Sequence, residues 1–258
     1  MHNTRPTMHN YASTAISEDL KEVYTFISSI YWIKNNGELC NGTIFYINTG
    51  KDFFAITAYH VIKEFLQFKE QNKAAECRIN NFLFENIEER LVDHDEELDI
   101  AVLKLSENEI KSLAIGKMAI DVTQQYFQEV KGMKSYLCGF PGTKSCSLYI
   151  DTKTRNNYFA ALGMGLIITT VSETNFKCQV VGLETNFGPI SGLSNFDYGG
   201  MSGAPVLIKE KGLWKLVGIL IEGPDTKENQ IQGFEVLIIR KAKFILPNGE
   251  LHNDLSWL

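Results

Sequence analysis

Apolar and polar positions change their rhythm several times along this chain of 258 residues. Residues 43–47 and 53–57 are short runs of β-branched and aromatic side chains, with Asn48-Thr49-Gly50-Lys51 between them. They read as a hairpin closed by a four-residue turn. Directly afterwards the period lengthens. Val61, Ile62, Phe65, Leu66 and Phe68 share one helical face, while Lys63, Glu64, Gln67, Lys69 and Glu70 fill the other. A helix of about three turns is predicted there. Strand character returns at 78–84, 100–105, 135–140, 165–171, 178–183, 205–208 and 214–221, the last two joined around Glu210-Lys211-Gly212. Residues 24–33 read as a strand or strand pair, and 233–236 as a late returning strand. Residues 85–97 read as an acidic connection, and 111–124 as a linking region of turns and a short helix. Residues 238–245, with Arg240, Lys241 and Lys243, fit a strand or a closing helix equally. At the start, residues 1–14 read as a loose arm. Ser17 is placed to cap a short helix with Glu18 and Asp19 in its positive first turn.

The candidate chemistry centres on Tyr198-Gly199-Gly200-Met201-Ser202-Gly203-Ala204-Pro205. A serine is a weak nucleophile unless a sharp turn presents it to a base and to amide donors. Glycines permit such a turn, because they reach positive φ and let a substrate approach the backbone. With Ser202 as nucleophile, the amides of Gly200 and Ser202 are placed to hold the oxyanion. His60, at the end of the hairpin strand, supplies a base on a rigid element. Asp99 precedes the buried strand 100–105, where it serves either as a strand cap or as the acid behind His60. The acidic run Asp93-His94-Asp95-Glu96-Glu97 lacks the alternating spacing and turn glycine of a hard-cation loop. Gly142-Thr143-Lys144-Ser145 lacks the adjacent Gly-Lys pair of a phosphate loop. Neither a metal nor a cofactor is expected.

Three segments together resemble the chymotrypsin/trypsin-like serine peptidases. Thr57-Ala58-Tyr59-His60 is similar to the histidine motif of that family, Leu98-Asp99-Ile100-Ala101-Val102 to its aspartate motif, and Gly200-Met201-Ser202-Gly203-Ala204-Pro205 to its serine motif. The order His, Asp, Ser is the order of that fold and differs from two other hydrolase orders. The resemblance spans about residues 30–240. It implies an all-β chymotrypsin-like double β-barrel, with the active site in the inter-barrel cleft and a few short helices. Barrel one would cover about 30–115 and barrel two about 130–240. An N-terminal arm and short helix (1–29) and a C-terminal segment (241–258) would flank them. The implied activity is that of a serine endopeptidase using His60, Asp99 and Ser202. By the same resemblance Ile221, Glu222 and Gly223 would line the substrate site, with Asp197 near the floor of the pocket. Asp197 there would favour Arg or Lys before the cut, whereas Phe196 beside it would block a deep pocket. Met201 stands where zymogen-activated relatives carry an aspartate, so no propeptide cleavage is expected. Val61 stands where secreted relatives carry a cysteine that pairs with one near Cys40, so that disulfide is not expected.

Composition narrows partners and compartment. A net charge of −6 and a pI near 5.5 argue against a nucleic-acid surface. No run of about eighteen apolar residues exists to span a membrane. Five cysteines form no disulfide framework, and the polar start shows no apolar signal core. A cytoplasmic protein with reduced thiols is expected, in which Asn41-Gly42-Thr43 is an accidental glycosylation sequon. Little length remains for a further domain. The expected partners are a protein or peptide substrate and an activating protein or ligand that orders the loops, with residues 184–195 as the most mobile stretch. The alternative is a catalytically silent binding or scaffolding module of the same fold.

Overall fold

The computed structural model describes residues 18–113, 117–123, 131–142, 149–151, 156–187, 198–223 and 236–252. In chain order these form α1 (Glu18–Tyr24), β1 (Ile27–Ile33), β2 (Leu39–Asn48), β3 (Phe53–Thr57), α2 (Tyr59–Gln71), β4 (Arg78–Ile79), β5 (Phe82–Leu83), α3 (Ile87–Arg90), β6 (Leu91–Asp95) and β7 (Ile100–Leu105). There follow α4 (Glu107–Leu113), β8 (Ile120–Asp121), β9 (Lys134–Gly139), β10 (Tyr149–Asp151), β11 (Asn156–Tyr158), β12 (Ala161–Val171) and β13 (Asn175–Phe187). β14 (Pro205–Glu210), β15 (Leu213–Glu222), β16 (Val236–Lys241) and a 3₁₀ turn at Ala242–Phe244 complete the order.

The first half builds an eight-stranded sheet in the order β5-β4-β1-β2-β3-β7-β6, with β8 running parallel to the end of β2. The second half closes into a six-stranded barrel, β12-β13-β16-β15-β14-β9. This mostly-β architecture with a few short helices fits the chymotrypsin-like double-barrel fold. β10 and β11 form a separate ribbon that the hydrophobic pattern does not signal.

The strands read as nearly unbroken apolar runs because many are buried on both faces. In β2, Phe45 and Ile47 face the core shared by the two halves, while Ile44 and Tyr46 face the interior of the first sheet beneath α2. β7 divides in the same way, with Ile100 and Val102 toward the shared core and Ala101, Leu103 and Leu105 inward. From the barrel, Tyr136, Cys138, Leu207, Leu216 and Ile219 reach the shared core, and Leu137, Val206, Val217 and Leu220 fill the barrel interior. Period-two side chains on a two-sided sheet produce this division, with a register shift in the β14–β15 pair moving Leu216 and Ile219 onto the same side. It brings the two halves into one packed interface, and the candidate site lies along it.

Several elements differ in extent from expectation. Tyr24 ends α1 rather than opening a strand, and β1 begins at Ile27. Leu20 and Val23 of α1 are fully buried. Lys209 bridges Asp19 and Glu22, at 2.9 Å each, so α1 is docked on the barrel. The single strand expected at 78–84 is a tight hairpin, because Asn80 takes φ +51° and asparagine tolerates the left-handed region. Its amide also accepts from Ser29 N and donates to Ser28 Oγ of β1. The acidic connection at 85–97 contains α3 and β6, the latter paired with β7. Residues 238–245 are both a strand and a turn: β16 runs to Lys241, and the 3₁₀ turn follows. Lys211 and Gly212, at φ +51° and +81°, close the β14–β15 hairpin with the two left-handed residues that match strand twist.

Cys40, Cys77, Cys138 and Cys178 are all free thiols, and Cys146 lies outside the described residues. Burial pushes the thiols of Cys138 and Cys178 up to about 12. Among the described residues no helix is long and apolar enough to cross a membrane.

Candidate active site

A helix start leaves several backbone N–H groups without intrahelical partners. The start of α2 has no local remedy, since its N-cap is Ala58 and its first turn holds no acid. Asp99, 39 residues along the chain, supplies the missing acceptors. Its carbonyl oxygen accepts from Tyr59 N at 3.2 Å, its Oδ1 accepts from His60 N at 2.8 Å, and its Oδ2 lies 2.7 Å from His60 Nδ1. One residue therefore caps the helix and aims the imidazole. Facing an acceptor-only carboxylate, Nδ1 is the donor, and in the neutral ring that tautomer leaves the lone pair on Nε2. The His60 side chain is 50% exposed and that of Asp99 only 21%. The imidazole thus faces solvent while the carboxylate behind it is sheltered.

The β6–β7 turn that delivers Asp99 follows from its sequence. Asp95 Oδ1 accepts from the N–H groups of both Glu97 and Leu98, each at 2.8 Å. Asp99 itself sits at φ +55°, a conformation that aspartate tolerates better than most residues. The acidic run is thereby engaged in main-chain contacts: Asp93 accepts from the N–H of His94 and of Leu251.

Ser202 lies, half-buried, between two left-handed glycines, Gly200 at φ +84° and Gly203 at φ +88°. Hydrogen bonds from Met201 N to Tyr198 O and from Ala204 N to Met201 O close the two halves of this turn. The turn presses on the end of β3, and the expected strand-end position of His60 is in fact the first turn of α2, just beyond it. A Cβ at Gly203 would fall 2.3 Å from Thr43 O, 2.4 Å from Thr57 Oγ1 and 2.8 Å from Ala58 N, so only glycine fits. The structure brings His60 and Asp99 into direct contact and sets the Ser202 backbone against the end of β3 just ahead of them, while the Ser202 side chain makes no hydrogen bond to His60 among the described residues. Among the described residues, neither the Gly200 N–H nor the Ser202 N–H is taken by an acceptor.

Thr43, fully buried in β2, ties this turn to the first sheet. Its N–H donates to Ser202 O at 3.0 Å, and its hydroxyl donates to Gly200 O and accepts from Phe140 N, both at 2.9 Å. Its carbonyl accepts from the Thr57 hydroxyl at 2.7 Å. Asn41 adds a second tie, donating from Nδ2 to Phe140 O at 3.0 Å and to Pro141 O at 3.3 Å. The asparagine of the sequon thus holds its amide nitrogen inside the interface, beside Gly200. Sequence reading assigns Thr43 only to a hairpin strand and Asn41 only to an accidental sequon. A polar residue within an apolar run, as Thr43 is before Ile44-Phe45, was the available signal.

Ile221 is half-buried and Glu222 exposed at the end of β15, and Gly223 follows against Tyr198. On one side β15 stays paired with β16 as far as Glu222. On the other, pairing with β14 stops at Ile219, and the contact of Gly203 N with Leu220 O at 2.8 Å is the last described there. Among the described residues, no strand pairs with Ile221, Glu222 or Gly223 on that side, next to the serine turn. Asp197 and Phe196 lie outside the described residues, as do 188–195; residues 184–187 belong to β13.

No family model matches the chain, and no curated protein matches it. Among solved structures, it is similar to a thermostable serine protease, AL20, from an extremophilic microorganism, with 12% identity, 84% of this chain and 91% of the other covered, and a TM-score of 0.47. It is also similar to the Rv3671c protease of M. tuberculosis in its active form, with 14% identity, coverage of 91% and 89%, and a TM-score of 0.47. At identities this low, residue roles do not transfer between chains.

Proposed function

We propose that this protein is a serine endopeptidase with Ser202 as nucleophile, His60 as general base and acid, and Asp99 as the group that orients and stabilises the imidazolium. The observation that carries the reading is the double engagement of Asp99 by the main chain and the ring of one histidine, next to a serine turn flanked by two left-handed glycines. Ser202 Oγ attacks a peptide carbonyl while His60 Nε2 takes its proton, then returns it to the leaving amine. The acyl-serine so formed is cleared by water activated by the same imidazole. The free amides of Gly200 and Ser202 receive the oxyanion of each tetrahedral intermediate.

The substrate is an extended peptide, which would add as a strand along Ile221, Glu222 and Gly223 with side chains alternating into pockets. An activating protein or ligand fits a cytoplasmic peptidase of this kind. Met201, fully buried before Ser202, leaves no place for an aspartate switch, and turnover should need no N-terminal processing. The test is a diverse peptide library read by mass spectrometry. The wild type should cut internal bonds, and Ser202→Ala should cut none. Equal cleavage by Ser202→Ala would refute the assignment. Enrichment of Arg or Lys before the cut, lost in Asp197→Asn, would identify Asp197 as the pocket floor.

A further inference from the structure

Arg240 lies in β16, opposite Ile219 of β15 and Asn175 of β13, and it is only 8% exposed. A buried guanidinium normally meets a carboxylate, since an uncompensated buried charge costs several kcal/mol. Here its fork crosses from the barrel to the first sheet and meets main chain instead. Nε donates to Leu98 O at 2.8 Å and Nη2 donates to Glu97 O at 2.6 Å. Those two carbonyls belong to the turn that ends in Asp99, whose φ of +55° is held against backbone preference. Burial lowers the affinity of Arg240 for its proton, and the charges of Asp99 and Asp95 oppose that effect.

We propose that Arg240 is a positioning residue for Asp99: by clamping two consecutive carbonyls from the opposite half, it fixes the turn that aims the carboxylate at His60. The proposal rests on the triad reading for its catalytic consequence, but not for its geometric one. A planar fork is required because two carbonyl directions must be met at once. A lysine ammonium offers a single point of donation from a flexible stem. The arrangement also makes the His60–Asp99 contact conditional on docking of the two halves.

The test compares Arg240→Gln and Arg240→Lys with the wild type by two readouts. The first is the far-downfield proton resonance of the His60 Nδ1–H, identified by its loss in His60→Ala. The second is the rate of Ser202 acylation by a fluorophosphonate, which is resolved into binding and chemical steps. In Arg240→Gln the resonance should shift upfield or broaden, and the chemical step should slow by about 10²-fold with unchanged binding, as small misplacements of catalytic groups do. Arg240→Lys should recover part of both. A folded Arg240→Gln with the wild-type resonance and rate would overturn the proposal, as would a Lys variant no better than Gln. Should the Gln variant fail to fold, the Lys variant decides alone, and an unchanged resonance and rate in it would overturn the proposal. Absence of acylation in the wild type would count against the peptidase reading, while the resonance would still report the hold of Arg240 on Asp99.

Discussion

Asp99→Asn should slow acylation of Ser202 by about 10⁴-fold while changing stability by less than about 1 kcal/mol. The two halves of this expectation come from the two oxygens of one side chain. An asparagine oxygen can still accept from His60 N, now at 2.8 Å from Oδ1, so α2 keeps its cap. The other oxygen, now 2.7 Å from His60 Nδ1, is replaced by an amide that donates. His60 must then turn Nδ1 into an acceptor and carry its proton on Nε2, the nitrogen that has to receive the proton of Ser202. Kinetics of fluorophosphonate labelling alongside thermal melting would check both. Near-wild-type labelling would mean that the contact serves only the helix.

Gly203→Ala should cost about 4 kcal/mol, as overpacking combines with a left-handed backbone. The new methyl would meet Thr43 O at 2.3 Å and Ala58 N at 2.8 Å, both of them main-chain atoms that cannot swing aside. Gly203 has φ +88°, so the backbone gives no relief. Gly212→Ala is the matched control. Gly212 has φ +81° and no neighbour within 4 Å of the added Cβ, so it should lose only about 1 kcal/mol of backbone preference. Urea unfolding of the two variants would separate packing from conformation. Equal losses would mean that the serine turn does not seat against the junction of β3 and α2 beside His60.

What could be read from the sequence followed the range of the forces involved. The helix that contains His60 was legible, because Val61, Ile62 and Phe65 repeat at helical spacing and are its buried residues. The Lys211-Gly212 turn and the β2–β3 hairpin were legible from local turn chemistry. β6 was not, because Leu-Val-Asp-His-Asp alternates in exposure without apolar contrast and owes its form to pairing with β7. Tyr24 misled because an aromatic residue beside an apolar run suits a strand, yet α1 continues through it. His60, Asp99 and Ser202 could be proposed from short motifs. Their supports could not: the Thr43 hydroxyl meets Phe140 across 97 residues, and Arg240 meets Leu98 across 142. Contacts of that separation leave no periodic trace in a single chain.

The most direct test of the proposed triad is to map the adduct formed by a fluorophosphonate on the folded protein, comparing wild type with Ser202→Ala and His60→Ala. A single adduct on Ser202, lost in both variants, is the expected result. An adduct on another residue, or none from folded protein even with cell lysate added as a source of activating partners, would contradict the triad and leave a catalytically silent module of the same fold.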